Sequence, residues 1–310
     1  GEDTFPYTTL FRSASATLRS SALIMPPSCV RSSVGEASIE DQLPANLVAL
    51  MRAVSSDVMM AGNPGSVDAV SYHYYSGASQ RCAAQGMVSP NPADALRESW
   101  LAGTTREQAY YAALRDKYER GKPIWLTETA QAACGGSPWA STFRDSFRYV
   151  SQLGRLAQKG VRVVMHNTLA ASDYALIDGD TLTPRPNFWV AALWAKLMGP
   201  KVLAAPVEPS ADVRIYAQCL RGKPGGVALA ALNLGATPQR LSPGRGALAY
   251  VMTAAALDDR TVSINGTAPG VSEAGEIAGM TPRTIGSRMV LPPQSIAYVA
   301  VASAHNPVCD

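Results

Sequence analysis

A small set of polar side chains lies where short apolar runs of the sequence end. Glu128 follows one such run, His73 and Tyr75 follow another, and Asn167 follows a third. In a parallel barrel, catalytic groups project from the carboxyl ends of the strands. A glutamate there stays ionised only when neighbours hydrogen-bond it, and Tyr75 on the adjacent predicted strand is positioned to do so. This pattern favours a carboxylate nucleophile at Glu128.

Simpler structural roles remain open for the same residues. A glutamate at a strand end is by default a surface residue, and His73 and Tyr75 could be hydrogen-bonded core residues. His166, which precedes Asn167, could likewise be packed rather than functional.

The elements that must position these residues divide the chain into two parts. Short apolar runs alternate with helical patterns from residue 21 to about 200, which predicts βα units and a parallel sheet. From residue 201 to 310, strand patterns alternate with Gly, Pro and Asn turns and predict an all-β sandwich. Residues 1–20 have no apolar period, and we expect an unstructured or artefactual N-terminus there. The predicted strands are 22–25, 69–72, 124–127 and 162–165 in the first part, and 213–220, 226–232, 249–253, 261–264, 287–291 and 295–301 in the second.

Three helices are predicted between these strands. Thr104 with Glu107 has the spacing of a capping box, for a helix that runs to Arg120. The apolar period of residues 141–159 predicts a second helix, and Pro186 is expected to begin a third.

Composition and missing motifs exclude several classes of function. The 310 residues carry a net charge of +3 without basic runs, so we expect no nucleic-acid partner. No apolar stretch approaches the roughly 18 residues of a membrane span. The five cysteines and three histidines lack the C-x-x-C and H-x-x-x-H spacings of zinc sites. Serine-hydrolase, P-loop and dinucleotide-binding motifs are also missing, and we predict no metal or cofactor.

A series of motifs in the chain resembles glycoside hydrolase family 79, the heparanase and β-glucuronidase family. The motifs, in order, are Asp68-Ala69-Val70-Ser71-Tyr72-His73-Tyr74-Tyr75, Ile124-Trp125-Leu126-Thr127-Glu128-Thr129-Ala130, Cys134-Gly135-Gly136, Val163-Val164-Met165-His166-Asn167, Tyr174-Ala175-Leu176-Ile177-Asp178, Pro184-Arg185-Pro186-Asn187-Phe188-Trp189 and Leu197-Met198-Gly199. The resemblance implies a retaining glycosidase that cleaves uronate-containing glycans. It also implies that the predicted strands are the second half of a TIM-type (β/α)8 barrel, followed by the sandwich.

The resemblance assigns roles to individual residues. Glu128 matches the nucleophile, Tyr75 the phenol that hydrogen-bonds it, and His73 a wall of the same pocket. Tyr174 matches a residue that contacts the uronate carboxylate, and Asn167 falls where the family uses a polar side chain. The backbone N–H groups of the segment Cys134-Gly135-Gly136 match a loop that binds the uronate carboxylate.

One element of the family pattern is missing from this sequence. The family's acid/base glutamate lies in an Asn-Glu-Pro motif, and the chain contains no Asn-Glu pair. We therefore expect an N-terminally truncated fragment that is inactive by itself. The alternative is a non-catalytic carbohydrate-binding or scaffold protein that has lost the acid/base residue.

Two disulfides are expected. Neighbouring barrel strands bring their following loops together, which favours a bond between Cys82 and Cys134. A bond between Cys219 and Cys309 would tie down the C-terminal segment, and the resembled family has cysteines at both positions. Cys29 would then be unpaired. Such bonds persist in oxidising compartments, so a secreted or periplasmic location is expected.

Overall fold

The computed structural model describes residues 56–85 and 88–310. The segment 1–20, the predicted strand 22–25 and Cys29 lie outside these residues. The first part of the described chain contains helices and parallel strands: α1 (Ser56–Gly62), β1 (Val70–Tyr75), α2 (Glu98–Leu101), α3 (Gly103–Tyr118), β2 (Ile124–Ala130), α4 (Phe143–Gln158), β3 (Val163–His166) and α5 (Pro186–Leu197).

Strands β1, β2 and β3 form a three-stranded parallel sheet in that order. Apolar side chains of β1 and β2 pack against α3 in a core that includes Tyr72, Tyr111, Ile124 and Leu126. Tyr72 and Tyr111 stack with ring centroids 4.8 Å apart. This helix-covered face fixes which side chains of each strand are left for the opposite face.

The expected capping box at the start of α3 is wrong. The helix begins at Gly103, its N-cap is Ala102, and that residue makes no side-chain capping bond. Thr104 and Glu107 lie inside the first turns and are buried. Their spacing is therefore explained by packing, because α2 ends only one residue before Ala102 and leaves no extended N-cap residue.

The second part of the chain is built from β-strands. They are β4 (Met198–Leu203), β5 (Val213–Leu220), β6 (Val227–Asn233), β7 (Gln239–Leu241), β8 (Leu248–Thr253), β9 (Ser263–Ile264), β10 (Gly270–Val271), β11 (Ile277–Ala278), β12 (Arg283–Thr284), β13 (Met289–Leu291) and β14 (Ser295–Val301). A seven-stranded sheet has the order β12-β8-β14-β6-β5-β4, with β9 paired to β8. Every pairing in it is antiparallel.

The seven-stranded sheet is covered on both faces. One face packs on α4 and α5 through side chains such as Phe147, Trp189 and Tyr298. Gly154 of α4 lies against the ring of Tyr216 in β5, where an added Cβ would come within 2.2 Å of that ring. The other face packs on the small β7–β13 sheet through residues such as Leu291. Strand β4, which begins directly after α5 and pairs with β5, was not predicted from the sequence.

A disulfide joins Cys219 of β5 to Cys309, with Cα atoms 5.3 Å apart. It attaches the short C-terminal 3₁₀ helix Pro307–Cys309 to the end of β5 in the large sheet. Within the described residues, no helix has the length and hydrophobicity that crossing a membrane requires.

Candidate active site

The site lies at the carboxyl ends of the three parallel strands, where the ladder between β1 and β2 is irregular. Tyr72 pairs with Leu126, but the next residue, His73, pairs with Glu128, so β2 carries one extra residue at Thr127. In a regular strand, alternate side chains share a face. Leu126 faces the helices, and without the bulge Glu128 would face them too. The extra residue turns Glu128 to the side of His73 and Tyr75.

Glu128 has two close partners on β1. The Tyr75 hydroxyl donates to Glu128 Oε1 at 2.7 Å, and His73 Nδ1 lies 3.5 Å from Glu128 Oε2. Tyr75 and His73 are buried, whereas the Glu128 side chain is 37% exposed. The carboxylate is therefore held by fixed neighbours and remains open to an incoming molecule.

Burial sets the protonation of both partners. It raises the pKa of the Tyr75 phenol well above its usual value, and the hydrogen bond to the Glu128 carboxylate adds to this effect. Tyr75 therefore stays protonated and donates to the carboxylate. Burial also lowers the pKa of His73, although the nearby Glu128 charge acts in the opposite direction. At neutral pH, His73 is therefore a neutral wall beside Glu128.

Asn167 connects β3 to this pair. Its amide Nδ2 donates to the Tyr75 hydroxyl at 3.0 Å and to the Tyr174 hydroxyl at 3.3 Å. Because Asn167 donates to the Tyr75 oxygen, the phenol's own proton is left for Glu128. The structure thus brings Glu128, Tyr75, Asn167 and Tyr174 into one hydrogen-bonded chain, with His73 beside it.

His166 lies behind the site. Its Nε2 is 2.9 Å from the Tyr174 carbonyl oxygen, and its ring lies 4.7 Å from that of Tyr149. Burial lowers the pKa of His166 to about 4, and the positive charge of Arg148 contributes. Nδ1 of His166 is buried without a hydrogen-bond partner in the part of the chain described. His166 is therefore a neutral, packed residue that supports Tyr174.

The segment from Cys134 to Gly136 forms a loop above β2. All three residues have positive φ values of 61°, 85° and 85°. Cys134 is bonded to Cys82 of the loop after β1, with Cα atoms 6.3 Å apart. Among the described residues, no acceptor takes a hydrogen bond from the N–H of Gly135 or Gly136. Successive free N–H groups of this kind can bind an anion.

Two supporting groups were missed by the sequence analysis. Arg81 contacts the loop of Cys134 and Gly136, and its position next to Cys82 was the available signal. Gln152 of α4 donates to Thr129 Oγ1 at 3.0 Å and so fixes the back of β2 next to Glu128. Nothing in the residue pattern predicts this second contact. Within 56–85 and 88–310, no three His, Cys, Asp or Glu side chains converge as a metal site requires.

Comparison with known proteins finds relatives named as heparanases and glucuronidases, although no family model matches the chain. Bovine heparanase is 28% identical over 262 residues, which cover 78% of this chain and 46% of that protein. Heparanase-like protein 1 of Arabidopsis thaliana is 38% identical over 111 residues, covering 36% of this chain and 20% of the relative. The chain resembles heparanases and β-glucuronidases. Baicalin-β-D-glucuronidase of Scutellaria baicalensis is 34% identical over 110 residues, which cover 35% of this chain and 21% of that protein.

The chain spans less than half the length of these curated relatives. Solved structures of similar shape are also glycoside hydrolases. A 4-O-α-L-rhamnosyl-β-D-glucuronidase of Fusarium oxysporum 12S matches with a TM-score of 0.58 and 16% identity, over 83% of this chain and 62% of that one. A family 51 arabinofuranosidase of Xanthomonas axonopodis pv. citri matches with a TM-score of 0.54 and 19% identity, over 79% of this chain and 55% of that one. They support an α/β fold for this chain.

Proposed function

We propose that this chain carries the nucleophile side of a retaining glycosidase that cleaves uronate-containing glycans. The observation that supports it most directly is the 2.7 Å hydrogen bond from Tyr75 to a half-open Glu128 at the carboxyl end of a parallel strand. A carboxylate held in this way accepts the Tyr75 proton through one oxygen and leaves a partly exposed side chain to attack an anomeric carbon.

A uronate is the substrate class that the loop favours. The free N–H groups of Gly135 and Gly136 offer an anion site, and Tyr174 connects this side to Asn167 and Tyr75. The named glucuronidases among the relatives agree with this choice. A glucuronic-acid unit would then lie with C1 at Glu128 and its carboxylate at the loop.

The acid/base glutamate belongs to the proposal as a residue outside this sequence. Retention needs a second carboxyl about 5 to 5.5 Å from the first, and no Asn-Glu motif is present in the chain. In this proposal, β1 to β3 are strands of the second half of a TIM-type barrel, and the β-rich part after about residue 200 is a β-sandwich domain. Two disulfides fit a secreted or periplasmic location.

The test traps the nucleophile without needing the acid. A 2,4-dinitrophenyl 2-deoxy-2-fluoro-β-D-glucuronide has a leaving group that departs as a phenolate, so no proton donor is required. The Glu128 carboxylate oxygen forms a bond to C1 while the bond from C1 to the phenolate oxygen breaks. The fluorine slows hydrolysis of the glycosyl-enzyme, which intact-mass measurement and peptide mapping then detect.

We expect one sugar adduct on Glu128 of the 310-residue chain and none on the Glu128→Gln variant. A methyl glucuronide, whose leaving group needs protonation, should turn over about 10² to 10⁴-fold slower than with an intact enzyme. Binding without labelling would support the non-catalytic alternative and contradict the proposal. Rapid turnover of the methyl glucuronide would contradict the missing acid/base. In an intact enzyme, Glu128→Gln should cost at least about 10³-fold in rate, or about 4 kcal/mol.

A further inference from the structure

The loop at residues 134–136 has each of its carbonyl groups turned toward a partner. Arg81 Nη1 donates to the Gly136 oxygen at 2.8 Å and to the Cys134 oxygen at 3.4 Å. The Asp173 N–H donates to the Gly135 oxygen at 2.9 Å. The three carbonyls are therefore fixed, and Arg81 holds two of them.

Fixing the carbonyls also fixes the N–H groups. In a planar trans peptide, the C=O of one residue and the N–H of the next point in opposite directions. The N–H of Gly135 is therefore directed away from Arg81, and the N–H of Gly136 away from Asp173. These two N–H groups have no acceptor among the described residues. They are held apart from the groups that hold the loop and are available to an external anion.

Arg81 is itself held in place on two sides. Its Nη2 lies 2.6 Å from Asp173 Oδ2, and the next residue, Cys82, is covalently bonded to Cys134. Residues 81 and 82 therefore attach to the same loop by two independent means, one polar and one covalent. The Arg81 side chain is half exposed, and it contacts the loop through backbone carbonyls and not through the N–H groups.

We propose that Arg81 is a positioning residue that determines the preference for an anionic sugar over a neutral one. This inference rests on the proposed function, because it concerns the same uronate site. Through the Cys134 carbonyl, the guanidinium orients the Gly135 N–H. Through the Asp173 carboxylate, it holds the residue whose backbone N–H orients the peptide of the Gly136 N–H. Its positive charge on the carbonyl side also favours a negative ligand on the opposite side of the same peptides. A neutral sugar, with CH₂OH in place of the carboxylate, gains little from either effect.

A role limited to fold stability makes a different prediction. If Arg81 only stabilised the loop, its loss would weaken the binding of charged and neutral sugars to the same extent. The ratio between the two affinities is therefore the informative measurement.

The experiment measures binding of methyl β-D-glucuronide and methyl β-D-glucoside to the 310-residue chain by ligand-observed NMR titration. The variants are Arg81→Gln, Arg81→Lys and the control Arg97→Gln. Arg97 is a suitable control because it is an exposed arginine with a carboxylate partner, Asp94, at 3.2 Å. Circular dichroism and thermal unfolding establish that each variant folds.

We expect Arg81→Gln to weaken glucuronide binding about tenfold and to leave glucoside binding unchanged. Arg81→Lys should recover part of the loss, because it keeps the charge but lacks the planar fork. Arg97→Gln should change neither affinity. If Arg81→Gln does not fold, Asp173→Asn, which removes the carboxylate partner of Arg81, should lower the glucuronide preference by a smaller factor.

Two outcomes would overturn the inference, and they are distinguishable. If the unmodified chain prefers the glucuronide and the Arg81→Gln variant keeps that ratio, Arg81 has no role in specificity while the proposed function stands. If the unmodified chain shows no preference for the glucuronide, the uronate specificity itself is wrong, and the role of Arg81 fails with it.

Discussion

The parallel sheet and the seven-stranded antiparallel sheet are buried very differently. Every residue of β14 in the antiparallel sheet is buried, and that sheet is covered on both faces. Every residue of β3 in the parallel sheet is partly exposed, and the half-exposed Glu128 lies next to it. Burial on both faces is thus found in the sheet that carries none of the candidate chemistry. The parallel sheet is open along β3 and at Glu128, as a substrate-binding surface requires.

The two regions also differ in what they bury: charged and polar side chains are buried behind the parallel sheet. Behind the parallel sheet, α4 buries an ion pair between Arg148 and Asp145, with Arg148 Nε 2.6 Å from Asp145 Oδ1. Arg148 also donates to Gln152, which reaches β2. Buried networks of this kind are stable only when every member has a partner. We therefore expect the parallel region to respond strongly to pH and to changes of single polar groups, and the antiparallel region to respond mainly to its covalent and apolar contacts.

The largest expected effect is the loss of the disulfide in the antiparallel region. The double change Cys219→Ser and Cys309→Ser opens a loop closed across 90 residues and should lower the free energy of unfolding by about 4 to 5 kcal/mol. Glucuronide binding should not change, because the bond lies at the end of β5 and joins none of the site residues. Urea unfolding and the NMR titration measure the two quantities.

The double change Cys82→Ser and Cys134→Ser is the equivalent test in the parallel region. Its bond closes a shorter loop, across 52 residues, so the expected loss of stability is slightly smaller, at about 4 kcal/mol. Glucuronide binding should weaken as well, because the loop of free N–H groups loses its covalent attachment. If both pairs affected binding equally, the functional distinction between the two regions would be wrong.

A smaller effect is expected from acid, through His166 in the parallel region. The folded-state pKa of His166 is lowered to about 4 by burial, against 6.5 for an ordinary histidine. Between these values the unfolded chain binds a proton that the folded chain does not, so stability falls as the pH decreases. The neutral His166 ring therefore costs no stability above pH 6.5. Near pH 4, it lowers the free energy of unfolding by up to about 3 kcal/mol.

The change His166→Gln tests this contribution, because an amide can still donate to the Tyr174 carbonyl. Urea unfolding at a series of pH values should show a shallower loss of stability between pH 6.5 and 4 in the variant. An unchanged slope would assign the acid sensitivity to other groups.

The smallest expected effect concerns the ion pairs that join the two regions. Glu98 of α2 pairs with Arg155 of α4 at 2.7 Å and with Arg214 of β5 at 3.0 Å. Its side chain is 49% exposed, so Glu98→Gln should lower the free energy of unfolding by less than about 1 kcal/mol. The difference should disappear in 1 M salt. As a control, Glu208→Gln removes the pair between Glu208 and Arg214, which lies within the β-rich part. If Glu98→Gln caused a large loss of unfolding free energy that did not depend on salt, this account would be contradicted.

The sequence predicted the elements far better than the side-chain contacts. Strand β5 has the bounds expected from its apolar run, and β14 does too, because both are long and regular. The pairing of neighbouring strand ends brought Glu128, His73 and Tyr75 together as expected. Arg81 was not predicted, since its role depends on where a distant loop directs its carbonyls. The start of α3 was misjudged because a capping pattern and a packed first turn use the same residue types.

The single extra residue at Thr127 determines which face of the parallel sheet carries the reactive carboxylate. If Thr127 were instead paired regularly with His73, Glu128 would share the face of Leu126, and its carboxylate would enter the apolar layer beneath α3, where an unpaired charge is very costly. Transplanting this nucleophile to another scaffold therefore requires the bulge at Thr127 as well as the glutamate.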